Sequence, residues 1–411
     1  MFDPSQHSTG SIFCKPNVTP YFVAVAMSTL AGWIARFLLG WLAWDLTHSA
    51  TWVGVTSALL LAPSFLFSPF FGVMADRVNP RNGMVVTLLG QTIIGGLAVG
   101  VLFTDSFSLG WLLGLSVLFG FVSSASSPLR FALVPQLIER QSIHKVIAIT
   151  AIIFNSSRIL GPAIAGALIA HASVSMAFIL TAILFLGAVL AMSRLTRLNP
   201  VQRASAGGVF SQLYAGLRFV FAHMDIRLVL LLTLVNALLG RTVLEMLPAL
   251  TGKLLGGEAT TLAMLTMSAG VGSILSGLLL ARVNGGEQTM LRLLFFSLIS
   301  GSLVLLCFYG SSSVLLAMSI IFYLSLATTM TGTCSQAIIQ LVVEDEFRGR
   351  VMSLWAVFSM GAPALGSLLM GALAESMGFV TTLIGFAVFG LMMTLGLTQL
   401  KHQLGPREES Q

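Results

Sequence analysis

The sequence predicts an all-α polytopic membrane protein of twelve transmembrane helices, built as two parallel six-helix repeats. Three observations carry this. Hydrophobic residues are 56% of the 411 and charged residues only 9%, where soluble domains carry about 25% charged residues. The apolar runs are about 20 residues long, the length that crosses a bilayer as a helix. They also lack the apolar–polar alternation of barrel strands, the other structure that satisfies its backbone within lipid. Finally, the polar phrase "GVMADRVNP", Gly72 to Pro80, returns 205 residues later as "GLLLARVNG" from Gly277, with Ala281 in place of the acid.

Taken in order, the runs predict spans at 21–44, 52–75, 83–103, 109–129, 146–169 and 174–193, then 228–249, 259–281, 289–309, 313–334, 351–373 and 379–399. The opening stretch 1–20 has no apolar core and reads as a polar tail. Residues 194–227, rich in Arg, Gln, Ser and Gly, form the only long polar interval and read as a linker. The chain thus divides into a tail (1–20), a six-helix half (21–193), the linker (194–227), a second half (228–399) and a tail (400–411).

Charge orients the bundle. Only Lys253 falls on one side, and Arg36, Arg158 and Arg241 lie inside spans. The other seventeen of the 21 Lys and Arg share the opposite side, together with both termini. An excess of this size places that side in the cytoplasm. The net charge of +6 therefore reports membrane orientation and not a nucleic-acid surface. The three cysteines are far apart and the six His are scattered, without CxxC or HExxH, so no metal or cofactor site is expected. No GxxxxGKS/T phosphate loop is present either.

The repeat extends beyond one phrase. Intramembrane Arg36 and Arg241 coincide at the same offset, and Ile138 to Leu168 lies ungapped over Val343 to Leu373. Six spans per half send both copies into the membrane in the same direction. Parallel repeats of this kind build transporters whose site lies between the halves.

"GVMADRVNPR" (Gly72 to Arg81) resembles the signature loop between spans two and three of the major facilitator superfamily. "SATWVGVTSALLLAPSFLFSPFFGVMADR" and "RGRVMSLWAVFSMGAPALGSLLMGALAESMG" resemble its bacterial exporter branch, which includes enterobactin exporters and macrolide and multidrug efflux proteins. The resemblance covers roughly residues 20–400. It implies alternating access and a cytoplasmic latch made by Gly72, Asp76, Arg77 and Arg81 against the start of span eleven near Arg350. The chain departs from the antiporter pattern in two places. Span five reads "GPAIAG" rather than GPxxGG, and span four, "WLLGLSVLFGFVSSASSP", has no mid-membrane Arg.

Arg36, Arg158, Arg241 and Glu245 are the intramembrane charges. Each costs at least about 2.5–3.5 kcal/mol at mid-bilayer, so each should face a partner or a wet cavity. Arg241 and Glu245 stand four apart on span seven, the spacing of a helical ion pair. They read as a site for an anionic or polar substrate with Glu245 as the titrating group, or else as structural pairs locking helices. Asp45, Asp105 and Glu375 read as solvated span ends. The 19 Met and 28 Phe read chiefly as lipid-facing filler, although a greasy adaptable cavity would use the same residues.

The expectation is a transporter and not an enzyme: proton-coupled efflux of a small amphipathic molecule, a siderophore-like metabolite or a drug, from a bacterial cytoplasm. Its partners are a small-molecule substrate, protons and the lipid bilayer of the inner membrane, without nucleic acid, and it acts as a monomer. An importer or lipid transporter of the same fold is the first alternative. A non-transporting membrane sensor or intramembrane enzyme is the second.

Overall fold

The structure, a computed structural model, describes residues 17–138, 143–196, 217–283, 286–309 and 313–404. Among these residues the secondary structure is helical throughout, with no strand, and twelve segments are long and apolar enough to cross a membrane. The first six are α1 (Val18–Thr47), α2 (Ala50–Arg77), α3 (Pro80–Phe103), α4 with α5 (Leu109–Ser124, Ser126–Leu137), α6 (Ile143–His171) and α7 (Val174–Ser193). The seventh is broken into α8 (Met224–Val235), a π-helical turn (Asn236–Arg241), α9 (Thr242–Glu245) and α10 (Leu247–Leu254). The last five are α11 (Ala259–Ala281), α12 with a 3-10 turn (Glu287–Leu305, Leu306–Phe308), α13 (Val314–Val342), α14 (Asp345–Met377) and α15 (Phe379–Leu404).

Local chemistry explains the turns. Asn79 caps α3, its side chain accepting from the N–H groups of Arg81 and Asn82, while Pro80 takes the first helical position. That position needs no donor and favours the fixed φ of proline. This accounts for the "NP" of the first copy; the equivalent Asn284, followed by Gly285, lies outside the described residues. His48 closes α1 in the left-handed region, its N–H bonding the Trp44 carbonyl at 2.7 Å.

Most helices outrun their predicted limits, because polar ends stay helical beyond the hydrocarbon. α14, for instance, begins at Asp345 and not at 351. The predicted span at 109–129 continues to Leu137 after a break at Ala125. Pro128 has no N–H to offer the Ser124 carbonyl, so the ladder cannot pass unbroken.

The way the core divides gives the bundle its shape. Call the end bearing the α1–α2 turn the His48 face, and the end bearing the α2–α3 turn the Asn79 face. One apolar cluster runs through the first six spans and on into the His48-face portions of the last six, through Val243 to Ala269, Leu305 to Leu324 and Met370 to Ala387. The Asn79-face portions of the last six spans form a separate cluster around Leu230, Leu294, Cys334 and Val351. The two sets of spans are therefore fused at the His48 face and apart at the Asn79 face. The space between them is a wedge.

Small residues close the apex of that wedge. A Cβ on Gly371 would meet the Ala50 carbonyl oxygen and the Thr51 Cα, so α14 touches the backbone of α2. A Cβ on Gly166 would meet Ala263 and the Ala259 carbonyl, so α6 approaches α11 equally closely. Small residues permit such crossings where no hydrophobic force drives helices together. This is the use made of the last glycine of "GPAIAG".

Candidate functional site

Arg36 lies about two-thirds of the way along α1, on the side facing α9 and α10. Its Nη2 donates to Oε2 of Glu245 at 3.3 Å, joining the first six spans to the last six. The two side chains are 35% and 22% exposed, although they lie within their spans. They lie where the two sets of spans meet.

This corrects the pairing expected from spacing. Arg241 and Glu245 are four apart, but Glu245 reaches across to Arg36, and Arg241 has no hydrogen bond or ion pair among the described residues. The break in the seventh span is the physical reason. The π-helical turn Asn236–Arg241 widens the spiral by one residue, with Thr242 Oγ1 donating to the Ala237 carbonyl five residues back at 3.2 Å. Such a turn is a common device at functional sites. Pro248 then removes the donor that the Leu244 carbonyl would otherwise have. α9 lasts a single turn and delivers Glu245 towards α1, while Ser57 Oγ on α2 donates to the Glu245 backbone carbonyl at 3.1 Å. Within the π turn, Asn236 Nδ2 donates to the Thr328 carbonyl on α13 at 3.1 Å, which anchors the distortion.

Arg158 joins the group from α6. Its Nη2 donates weakly to Ser325 Oγ on α13 at 3.4 Å, another contact between the two sets. Arg36, Arg241 and Glu245 all act on it electrostatically, so the four intramembrane charges share one field. Trp33 organises them. The Arg36 and Arg158 guanidinium carbons lie 5.9 and 5.7 Å from its ring centroid, both within cation–π range. A Cβ on Gly161, the first glycine of "GPAIAG", would clash with the Trp33 Cβ, so that glycine lets α6 press against the backbone of α1 at Trp33. Trp33 carries no charge and fits any apolar pattern, so sequence reasoning missed it. Its position three residues before Arg36 was the available signal.

Sequence reasoning also missed the closure on the His48 face. Glu375, expected to be a solvated helix end, accepts from the Ala50 N–H at 3.0 Å and from Ser49 Oγ at 3.3 Å, capping α2 from the other set of spans. Its other oxygen accepts from Lys253 Nζ at 3.2 Å. Thr51 Oγ1 donates to the Gly371 carbonyl beside it at 3.3 Å. The lone basic residue on that face, Lys253, was the readable hint. Asp45 and Asp105 are exposed, as expected.

The residues expected to form a latch lie at the opposite, Asn79 face. Gly72 has open space where a Cβ would stand, and Arg77 is exposed. Arg81 donates to Asn82 Oδ1 at 2.9 Å and to the Ser193 carbonyl, both within its own six spans. Arg350 stacks on Phe347, 5.1 Å from the ring centroid, again within its own set. The side chain of Asp76 lies outside the described residues. Among the described residues, the contacts of Arg81 and Arg350 thus stay within their own sets of spans.

These features, a wedge between two six-span sets with charges at its apex, are those of a transporter. Residues 13–411 match the transmembrane secretion effector family. The chain belongs to that family, within the major facilitator superfamily. The chain is 26% identical over 380 residues to the staphyloferrin A transporter of Staphylococcus aureus, covering 91% of this chain and 93% of that protein. It is also 26% identical over 353 residues to YfiS of Bacillus subtilis, a transporter of the same superfamily, covering 82% and 81%. Among solved structures, the nucleoside transporter NupG superposes with a TM-score of 0.71 at 13% identity, over 93% of this chain and 98% of that one. A bacterial homologue of the lysosomal transporter Spinster, in an inward-facing and unoccupied conformation, superposes at 0.66 with 14% identity, over 95% and 98%. The protein is thus a multi-pass membrane transporter with the major facilitator fold.

Proposed function

We propose that the protein exports a small amphipathic, anionic molecule, a siderophore-like metabolite or a drug, from a bacterial cytoplasm across the inner membrane, with proton coupling. The observation that carries this reading is the Arg36–Glu245 bridge between the two sets of spans at the apex of the wedge. A charge pair placed there belongs to both sets, so anything that breaks it acts on their relation to each other. The positive-inside distribution supports placing the Asn79 face and both termini in the cytoplasm. In that orientation the wedge is open inward, ready to load.

Cargo enters from the cytoplasm and binds the guanidiniums of Arg36, Arg158 and Arg241. When its anionic group takes Arg36, Glu245 loses its partner and serves as the proton site. Parting of the Glu375 contacts then opens the His48 face while the cytoplasmic face closes. Residues 21–193 and 228–399 rock as two bodies about the site. In the outward-open state, Gly72, Asp76, Arg77 and Arg81 latch against the start of α14 near Arg350. The protein works as a monomer and carries out no catalysis. The family's secretion role and the curated relative that transports staphyloferrin A both support export of such a molecule.

The test compares metabolites retained by cells with and without the gene, followed by uptake into everted vesicles. Cargo should build up in cells lacking the protein and should accumulate in vesicles under an inside-acid gradient. Uptake into intact cells instead would make the protein an importer. Full-rate gradient-driven transport by Glu245→Gln would remove Glu245 from the coupling.

A further inference from the structure

Export of an anion leaves its charge undetermined, and the electrostatics of the apex bear on that number. Three guanidiniums, those of Arg36, Arg158 and Arg241, share the field of one carboxylate, Glu245. Among the described residues no other carboxylate lies within the membrane interior: Asp45, Asp105, Asp225, Glu258, Glu287, Glu344 and Glu375 all stand at span ends. The side chains at the apex therefore carry two positive charges in excess. Few of its donors are engaged among the described residues. Arg36 has the carboxylate, Arg158 has only a long bond to the Ser325 hydroxyl, and Arg241 has no partner among the described residues. Trp33 draws two of the guanidiniums, those of Arg36 and Arg158, to one ring. Guanidinium forks match the paired oxygens of carboxylates and phosphates.

Resting on the export reading above, we propose that the cargo is a small organic anion with two or more negative charges on carboxylate or phosphate oxygens, and that its export is electrogenic. A monoanion would leave one positive charge uncompensated, whereas a dianion neutralises the apex. The energetic consequence is large. One charge crossing 100 mV shifts an equilibrium ratio by about 50-fold, so a dianion shifts it by about 2,000-fold. A cell interior that is electrically negative thereby expels this cargo even without a pH difference. Protons on Glu245 then adjust the chamber's charge and are not the sole driving force.

The experiment uses the full chain, purified in lipid nanodiscs, with citrate, glycerol 3-phosphate and acetate as probes at constant ionic strength. Citrate or glycerol 3-phosphate should bind and raise the unfolding temperature, and acetate at equal concentration should not. Which of the two polyanions binds more tightly separates carboxylate from phosphate chemistry. Arg241→Gln should weaken that binding by about 30-fold or more. Glu245→Gln should tighten it, because a competing carboxylate is removed. That increase is a readout that general loss of structure cannot mimic. Equal binding of acetate, binding of neither polyanion, or weaker binding in Glu245→Gln each overturns the proposal.

In proteoliposomes at equal pH on both sides, release of the bound polyanion should accelerate when a potassium diffusion potential makes the lumen negative. Indifference to that potential overturns the electrogenic part. A retained cellular metabolite that is neutral or singly charged would sink this inference and leave export standing. If no metabolite is retained, export itself fails.

Discussion

Replacing Glu375 with Ala removes the contacts that hold the His48 face shut. The carboxylate accepts from the Ala50 N–H and Ser49 Oγ at the start of α2, and from Lys253 Nζ, at 3.0 to 3.3 Å. Ser49 makes no side-chain cap of its own, so Glu375 serves as the cap for α2. A carboxylate at a helix N-terminus contributes about 0.3–1 kcal/mol when solvent-exposed. An exposed ion pair adds about 0.2–1 kcal/mol, and here the partners are 43% and 31% exposed. The contact with Ala50 joins the two sets of spans, so it is lost when that face opens. Lys253 lies in the same set of spans as Glu375, so only the capping contact separates the two conformers, and the substitution should cost the closed state about 0.3–1 kcal/mol, a roughly 2- to 5-fold shift in the conformer ratio. Spin labels at His171→Cys and Ser376→Cys, two exposed sites on that face in different sets of spans, would report it by pulsed dipolar distance measurement. This requires a background in which Cys14, Cys307 and Cys334 are replaced. The population at longer distance should rise by that factor. Raised salt should shift the unsubstituted protein the same way, because the attraction between the Glu375 carboxylate and the N-terminus of α2 is screened. An unchanged distance distribution in Glu375→Ala would refute the reasoning.

Other outcomes follow from the same geometry. In a double-mutant cycle of Arg36→Gln and Glu245→Gln, scored on transport, the double variant should lose far less than the two single losses combined; independent effects would dissolve the cross-set bridge. Gly371→Leu places a side chain against the Ala50 carbonyl and should prop the His48 face open, increasing alkylation of Ser376→Cys; unchanged labelling would contradict the close approach. Asn79→Ala removes the cap of α3 and should cost about 0.5–2 kcal/mol, seen as a lower unfolding temperature in detergent with the cargo's affinity unaltered. Trp33→Ala frees both guanidiniums from their shared ring and should weaken polyanion binding, whereas Trp33→Phe should retain part of it, since a phenyl face still attracts cations.

The twelve spans, the class of protein and the positions of the four intramembrane charges were legible in the sequence. Lipid accepts only backbones that satisfy themselves, so long apolar runs had one resolution, and a charge inside such a run stands out at once. In the first copy of the repeated phrase, Asn79 before Pro80 likewise carries the cap and the first helical residue of α3 in adjacent letters. What spacing could not decide was the partner of each charge. Regular helical geometry pairs Glu245 with Arg241, but a π-helical turn and Pro248 re-aimed the carboxylate towards Arg36, 209 residues away. The closure between Glu375 and the start of α2 was hidden for the same reason, since its partners lie more than 300 residues apart along the chain. Which face of the wedge is shut depends on how two sets of spans lean on one another. That balance consists of a few exposed contacts between distant segments, which local sequence pattern does not encode.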